Sequence, residues 1–125
     1  MAQPKDAPIL DPGPTDLVLV RTLPARAANV WRCWTEPELI RQFFAPAPGR
    51  VPEAQVDPWP GGIFHVVMDF DDHGRMDGAP GCVLMAEPGR RFAWTDALGP
   101  GFRPGAEPGF FSADISFTDT DGGCE

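Results

Sequence analysis

The stretch Gly61-Gly62-Ile63-Phe64-His65-Val66-Val67-Met68-Asp69-Phe70 constrains this chain more than any other. A glycine pair admits the backbone to a strand, and the residues after it alternate with a period of two. Phe64, Val66, Met68 and Phe70 share one face, wholly apolar; Ile63, His65, Val67 and Asp69 share the other, which is mixed. A strand with one apolar face belongs to an antiparallel sheet that covers something on that side. The functional question is whether that side meets packed core or a ligand.

More strands follow. Gly81–Glu87 and Arg91–Asp96 flank a tight turn at Pro88-Gly89, and Phe92 and Trp94 share a face. A glycine- and proline-rich loop covers Leu98–Gly109, and Phe110–Thr118 places Phe111, Ala113, Ile115 and Phe117 together. Short turns between successive strands make an antiparallel meander, with Asp16–Thr22 expected as an additional strand at its edge. Ala54–Asp57 reads as a short strand before the glycine pair.

Two helices precede the meander. Ala27, Val30, Trp31 and Trp34 recur at three- and four-residue spacing and form one buried stripe. Thr35-Glu36-Pro37-Glu38 reads as a capping box that opens a second helix. That helix carries Leu39, Ile40, Phe43 and Phe44 inward and stops before Pro46.

With 125 residues the chain is expected to be one domain, 15–125, preceded by a mobile leader over 1–14 that holds four prolines. A net charge of −8 excludes a nucleic-acid or anionic-membrane partner, because both need clustered Lys and Arg. The three cysteines, Cys33, Cys82 and Cys124, lack the close spacing of a metal or redox motif. Free thiols, and a start without a signal peptide's apolar run, point to the cytoplasm.

Candidate chemistry is sparse. Asp69, Asp71, His73 and Gly74 fall at the first, third, fifth and sixth places of a calcium loop, but its twelfth place is Pro80 where a glutamate is required. The segment reads as an acidic turn, and no metal is expected. Ser112 and Ser116 lie opposite the apolar face of their strand, so no nucleophilic triad is indicated. Asp96, Glu87, Arg91 and His65 are the groups available for acid–base work, and each reads as a solvated strand-end charge. No catalytic residue is assigned.

Four motifs in order carry a family resemblance: Val30-Trp31-Arg32-Cys33-Trp34-Thr35-Glu36-Pro37-Glu38, Phe43-Phe44-Ala45-Pro46, Gly61-Gly62-Ile63-Phe64 through Met68, and Arg91-Phe92-Ala93-Trp94-Thr95-Asp96-Ala97. Together they resemble the activator-of-heat-shock-protein-90-ATPase homologue group of the START/SRPBCC superfamily, whose bacterial members are often labelled polyketide-cyclase-like. The resemblance implies an α+β helix-grip fold: a curved antiparallel sheet, two short helices, and a hydrophobic cavity closed by a long C-terminal helix. The chain ends at Glu125, before that helix and the strand leading to it, so the domain is expected to be C-terminally incomplete.

On that basis the face lined by Phe64, Val66, Met68, Phe92, Trp94, Phe111, Ile115 and Phe117 loses its cover, and the isolated chain is expected to be marginally stable or dimeric. The resemblance further implies that Phe64, Val66, Met68, Trp94 and Phe111 touch a small hydrophobic molecule, with Phe102 and Arg103 near the mouth and no cofactor. A polyketide cyclase-like or hydrolase activity and a chaperone-interaction module are the alternatives it leaves.

Overall fold

The computed structural model describes residues 13–72, 74–109 and 111–125. Most of the leader, with His73 and Phe110, therefore lies outside the described residues. Helices α1 (Ala27–Thr35) and α2 (Pro37–Ile40) precede ten strands: β1 (Arg50–Val56), β2 (Ile63–Phe70), β3 (Gly74–Met76), β4 (Gly81–Glu87), β5 (Arg91–Thr95), β6 (Leu98–Gly99), β7 (Arg103–Pro104), β8 (Ser112–Ser116), β9 (Asp119–Thr120) and β10 (Gly123–Cys124). A 3-10 turn, Pro100–Phe102, joins β6 to β7. The main sheet runs β1-β2-β4-β5-β8, all antiparallel, with β3 pairing the far end of β2. This is the curved antiparallel sheet with two short helices that the helix-grip reading requires.

Both helices lie on the apolar face of the sheet. Ala27 and Ile40 are buried beside Phe64, Val83, Phe92, Trp94 and Phe117, and Val30, Trp31, Trp34 and Phe44 pack on that group. The expected bare face is corrected accordingly. Phe92 is fully buried and Phe64, Trp94 and Phe117 nearly so, because the aromatic side of the helical segment folds onto them. Only Phe111 of that set is largely exposed.

The helix junction differs from the capping-box expectation. Thr35 is the last residue of α1, and its hydroxyl donates to the Trp31 carbonyl 3.1 Å away instead of capping α2. Glu36 is the N-cap of α2 and makes no side-chain cap, while Glu38 pairs with Arg41. Thr35 is buried, and the local back-bond satisfies its hydroxyl there, whereas a cap would require it to leave the helix. Helix α2 stops at Ile40; Phe43 and Phe44 follow in a turn, and only Phe44 joins the core.

Asp16–Thr22 forms no strand. Leu17, Leu19 and Val20 stay 87%, 65% and 56% exposed, and only Leu23 is tied down, by an antiparallel bridge to Cys124. A β-rich sequence becomes a strand only when a neighbour takes its backbone groups. The edges of the main sheet are β1 and β8 instead. The tail, which showed no pattern in the sequence, forms the β9–β10 hairpin.

The mixed face of β2 is also partly closed, since Val67 is 1% exposed. Glu53 of β1 lies opposite Val67, and Arg75 of β3 lies opposite Asp69 on the other side. The Arg75–Glu53 ion pair thus spans β2 on the face that carries Val67.

Candidate functional site

Three rings of the apolar face, Phe64, Trp94 and Phe111, arrive from different segments, while Phe92 shares β5 with Trp94. Phe64 is on β2, Trp94 on β5, and Phe111 directly precedes β8. Strand β4 separates β2 from β5, so the rings of Phe64 and Trp94 must meet across it. Gly81 is the residue opposite Phe64 on β4, and it lies tightly between the neighbouring backbones. A Cβ there would lie 2.5 Å from the Thr95 carbonyl oxygen and 3.2 Å from that of Phe64. The two rings stack with centroids 4.2 Å apart and 14° between planes. Phe111 stacks on Trp94 at 5.5 Å and 25°.

Around this stack Phe44 tilts against both Phe64 and Trp94, at 6.1 and 6.3 Å, and Phe92 against Phe64 at 6.0 Å. Trp34 meets Phe44 edge-on, and Trp31 meets Phe92 in the same way. Offset and edge-to-face contacts of this kind add to what burial alone contributes. Exposure then rises along the stack: Phe64 4%, Trp94 8%, Phe111 56%.

Polar satisfaction within this face is uneven. The Trp31 indole N–H donates to the Arg91 carbonyl at 3.2 Å. Thr95 shares a hydrogen bond with Ser112 at 2.7 Å. The Trp94 Nε1 is buried and has no hydrogen-bond partner among the described residues. A buried donor in that state is costly and calls for an explanation.

The structure therefore brings Phe64, Trp94 and Phe111 together and sets Val66 beside them in the packed face. Met68 lies farther along β2, opposite Met76 of β3. Phe102 is half exposed and its ring lies against Gly61, with a left-handed backbone (φ 61°); Arg103 is exposed on β7. Neither reaches the stack. Phe44 is the contributor that the sequence reading did not assign to the site. The aromatic pair Phe43-Phe44 before a proline was the available signal for it.

The candidate acid–base groups are engaged elsewhere. The Asp96 carboxylate accepts the Phe111 N–H at 2.9 Å, Glu87 pairs with Arg90, and His65 Nε2 lies 3.2 Å from Asp77 and 3.0 Å from the Gly78 carbonyl. Arg91 grips Asp114, whose hydrogen bonds raise the guanidinium pKa further. Asp69 and Asp71 of the calcium-like segment both face Arg50. Among the described residues no three His, Cys, Asp or Glu side chains gather as a metal site, and no helix is long and apolar enough to cross a membrane.

Fold and site together define a sheet-and-helix domain of the START/SRPBCC kind, with an aromatic stack rising from its core to its surface. Residues 24–125 match the family model "Activator of Hsp90 ATPase homolog 1-like protein", and the chain belongs to that family. Its fold is similar to the crystal structure of a Nitrosomonas europaea protein, at 36% identity and a TM-score of 0.77, over 83% of this chain and 66% of that one. A Rhodobacter sphaeroides protein is similar in fold at 18% identity and TM-score 0.65, covering 83% and 63% of the two chains. A Mycobacterium smegmatis protein is similar at 22% and 0.58, covering 80% and 61%. The chain thus spans just under two thirds of each of these solved structures. No curated protein matches it. The family supports a ligand-binding or activator-like fold.

Proposed function

We propose that this protein binds a small hydrophobic molecule against the Phe64–Trp94–Phe111 stack, with Val66 extending the apolar surface. It does so in the cytoplasm and without a fixed cofactor. The supporting observation is the gradient of exposure along one continuous stack, from 4% at Phe64 to 56% at Phe111. The outer ring is one that a guest can displace or extend, and small-molecule sites are lined mainly by apolar and aromatic side chains. The stack itself is apolar, which suits holding a ligand, and the Asp96 carboxylate at its outer end is engaged with the Phe111 N–H.

Native mass spectrometry of the purified chain tests this directly. The expected result is an added small-molecule mass on the wild-type protein, reduced in Phe111→Ala. No adduct, together with no quenching of tryptophan fluorescence by any apolar probe, would remove the reading.

A further inference from the structure

We propose that the Trp94 indole N–H is the polar determinant of this site, so that it selects apolar ligands bearing a carbonyl-type acceptor oxygen. The inference rests on the ligand-binding reading and adds the chemical class. Its basis is a contrast within one face of the fold. Thr35 and Thr95, the buried polar residues, both have partners: Thr35 bonds the Trp31 carbonyl and Thr95 bonds Ser112. The Trp31 N–H is likewise used, on the Arg91 carbonyl. Trp94 Nε1 is the one buried side-chain nitrogen or oxygen among the described residues without a partner, on a residue only 8% exposed.

The chemistry that would complete it is narrow. Indole N–H is a donor and never an acceptor, so the missing group must be an acceptor. Phe64 and Phe111 stack on the two faces of the indole, so the acceptor must reach the N–H in the indole plane, and the body carrying it must be apolar. A site that presents a buried donor discriminates against a ligand lacking the matching group, because the donor is then left unpaired.

The test compares 1-indanone with indane, two flat bicyclic probes of similar size that differ in one carbonyl. Both are titrated into the full chain carrying ¹⁵N-labelled tryptophan, with the Trp94 indole signal assigned by Trp94→Phe. Indanone is expected to bind about tenfold more tightly than indane, the worth of one hydrogen bond. It should also move the Trp94 indole proton downfield, while indane does not. In Trp94→Phe the two probes should bind equally. Equal binding of both probes to the wild-type chain overturns the acceptor preference and leaves the apolar site standing. If neither probe binds, the inference falls together with the ligand reading.

Discussion

Leu23 and Cys124 exchange two backbone hydrogen bonds, the Leu23 N–H to the Cys124 carbonyl at 2.8 Å and the Cys124 N–H to the Leu23 carbonyl at 3.0 Å. This pair fastens the start of the helical segment to the last hairpin, and Gly123 sits directly against the Leu23 carbonyl. A methyl group at Gly123 would collide with that oxygen. Gly123→Ala is therefore expected to cost at least about 2 kcal/mol. Leu19→Lys, at an exposed position upstream of the bridge, should stay within about 0.5 kcal/mol of wild type. Urea denaturation of both variants checks the contrast.

The ring stack predicts an unusual ranking of aromatic substitutions. Phe92 is fully buried among Trp31 and Phe64, so Phe92→Ala should lose about 3–5 kcal/mol. Trp94→Phe removes ring area but also removes the unpaired N–H, so the two effects oppose each other. We expect it to cost less than about 2 kcal/mol, as thermal or chemical unfolding would report. A loss comparable to that of Phe92→Ala would show that the indole N–H has a partner.

Gly81 lets the Thr95 and Phe64 carbonyls close tightly on β4. Gly81→Ala should push these backbones apart and strain the strand pairing beneath the stack, at about 1–3 kcal/mol. The near-ultraviolet circular dichroism of the stacked indole should weaken in parallel. An unchanged spectrum in a folded variant would show that the stack does not depend on this close backbone approach.

Arg32 and Glu36, one helical turn apart, form a hydrogen-bonded ion pair at 2.5 Å. The Arg32 hydrogen bond holds the Glu36 carboxyl below its ordinary range, with burial opposing and the arginine's charge reinforcing it. Because the folded pKa is depressed, the contribution of the pair is present above the ordinary carboxylate range and fades as pH falls through the folded value. An NMR titration should place Glu36 below an unperturbed glutamate, and Arg32→Gln should return it to the ordinary value. The pair is exposed, so salt should weaken the effect.

Cys124 is buried, and that burial pushes its thiol pKa up, with Asp119 adding to the rise. A raised thiol pKa means that its contribution to stability is intact below the ordinary value and is lost as pH rises through the folded one. Iodoacetamide at mildly alkaline pH should therefore label the half-buried Cys33 well before Cys124. Simultaneous labelling of both in folded protein would contradict the burial.

The fold was largely legible in the residues. Alternation along Ile63–Phe70, the shared face of Phe92 and Trp94, and the stripe Ala27–Val30–Trp31–Trp34 are local patterns, and each survives because it matches the face that packing buries. What failed was local chemistry open to competition. Leu17–Thr22 has the composition of a strand but no neighbour among the described residues to take its hydrogen bonds. Thr35 has the position of a cap but bonds back into its own helix. Val67 stands on a mixed face yet is buried there, on the side of β2 that an ion pair between residues far apart in sequence spans.

Sequence alone thus determined which residues are apolar on one side of each element, because that depends only on periodicity. Tertiary structure alone decided that Phe64, Trp94 and Phe111 form one stack, since this needs the register of β2, β4, β5 and β8. It also decided that one indole N–H is satisfied and another is not. Hydrogen-bond satisfaction is a property of the assembled neighbourhood, and no pattern along the chain encodes it.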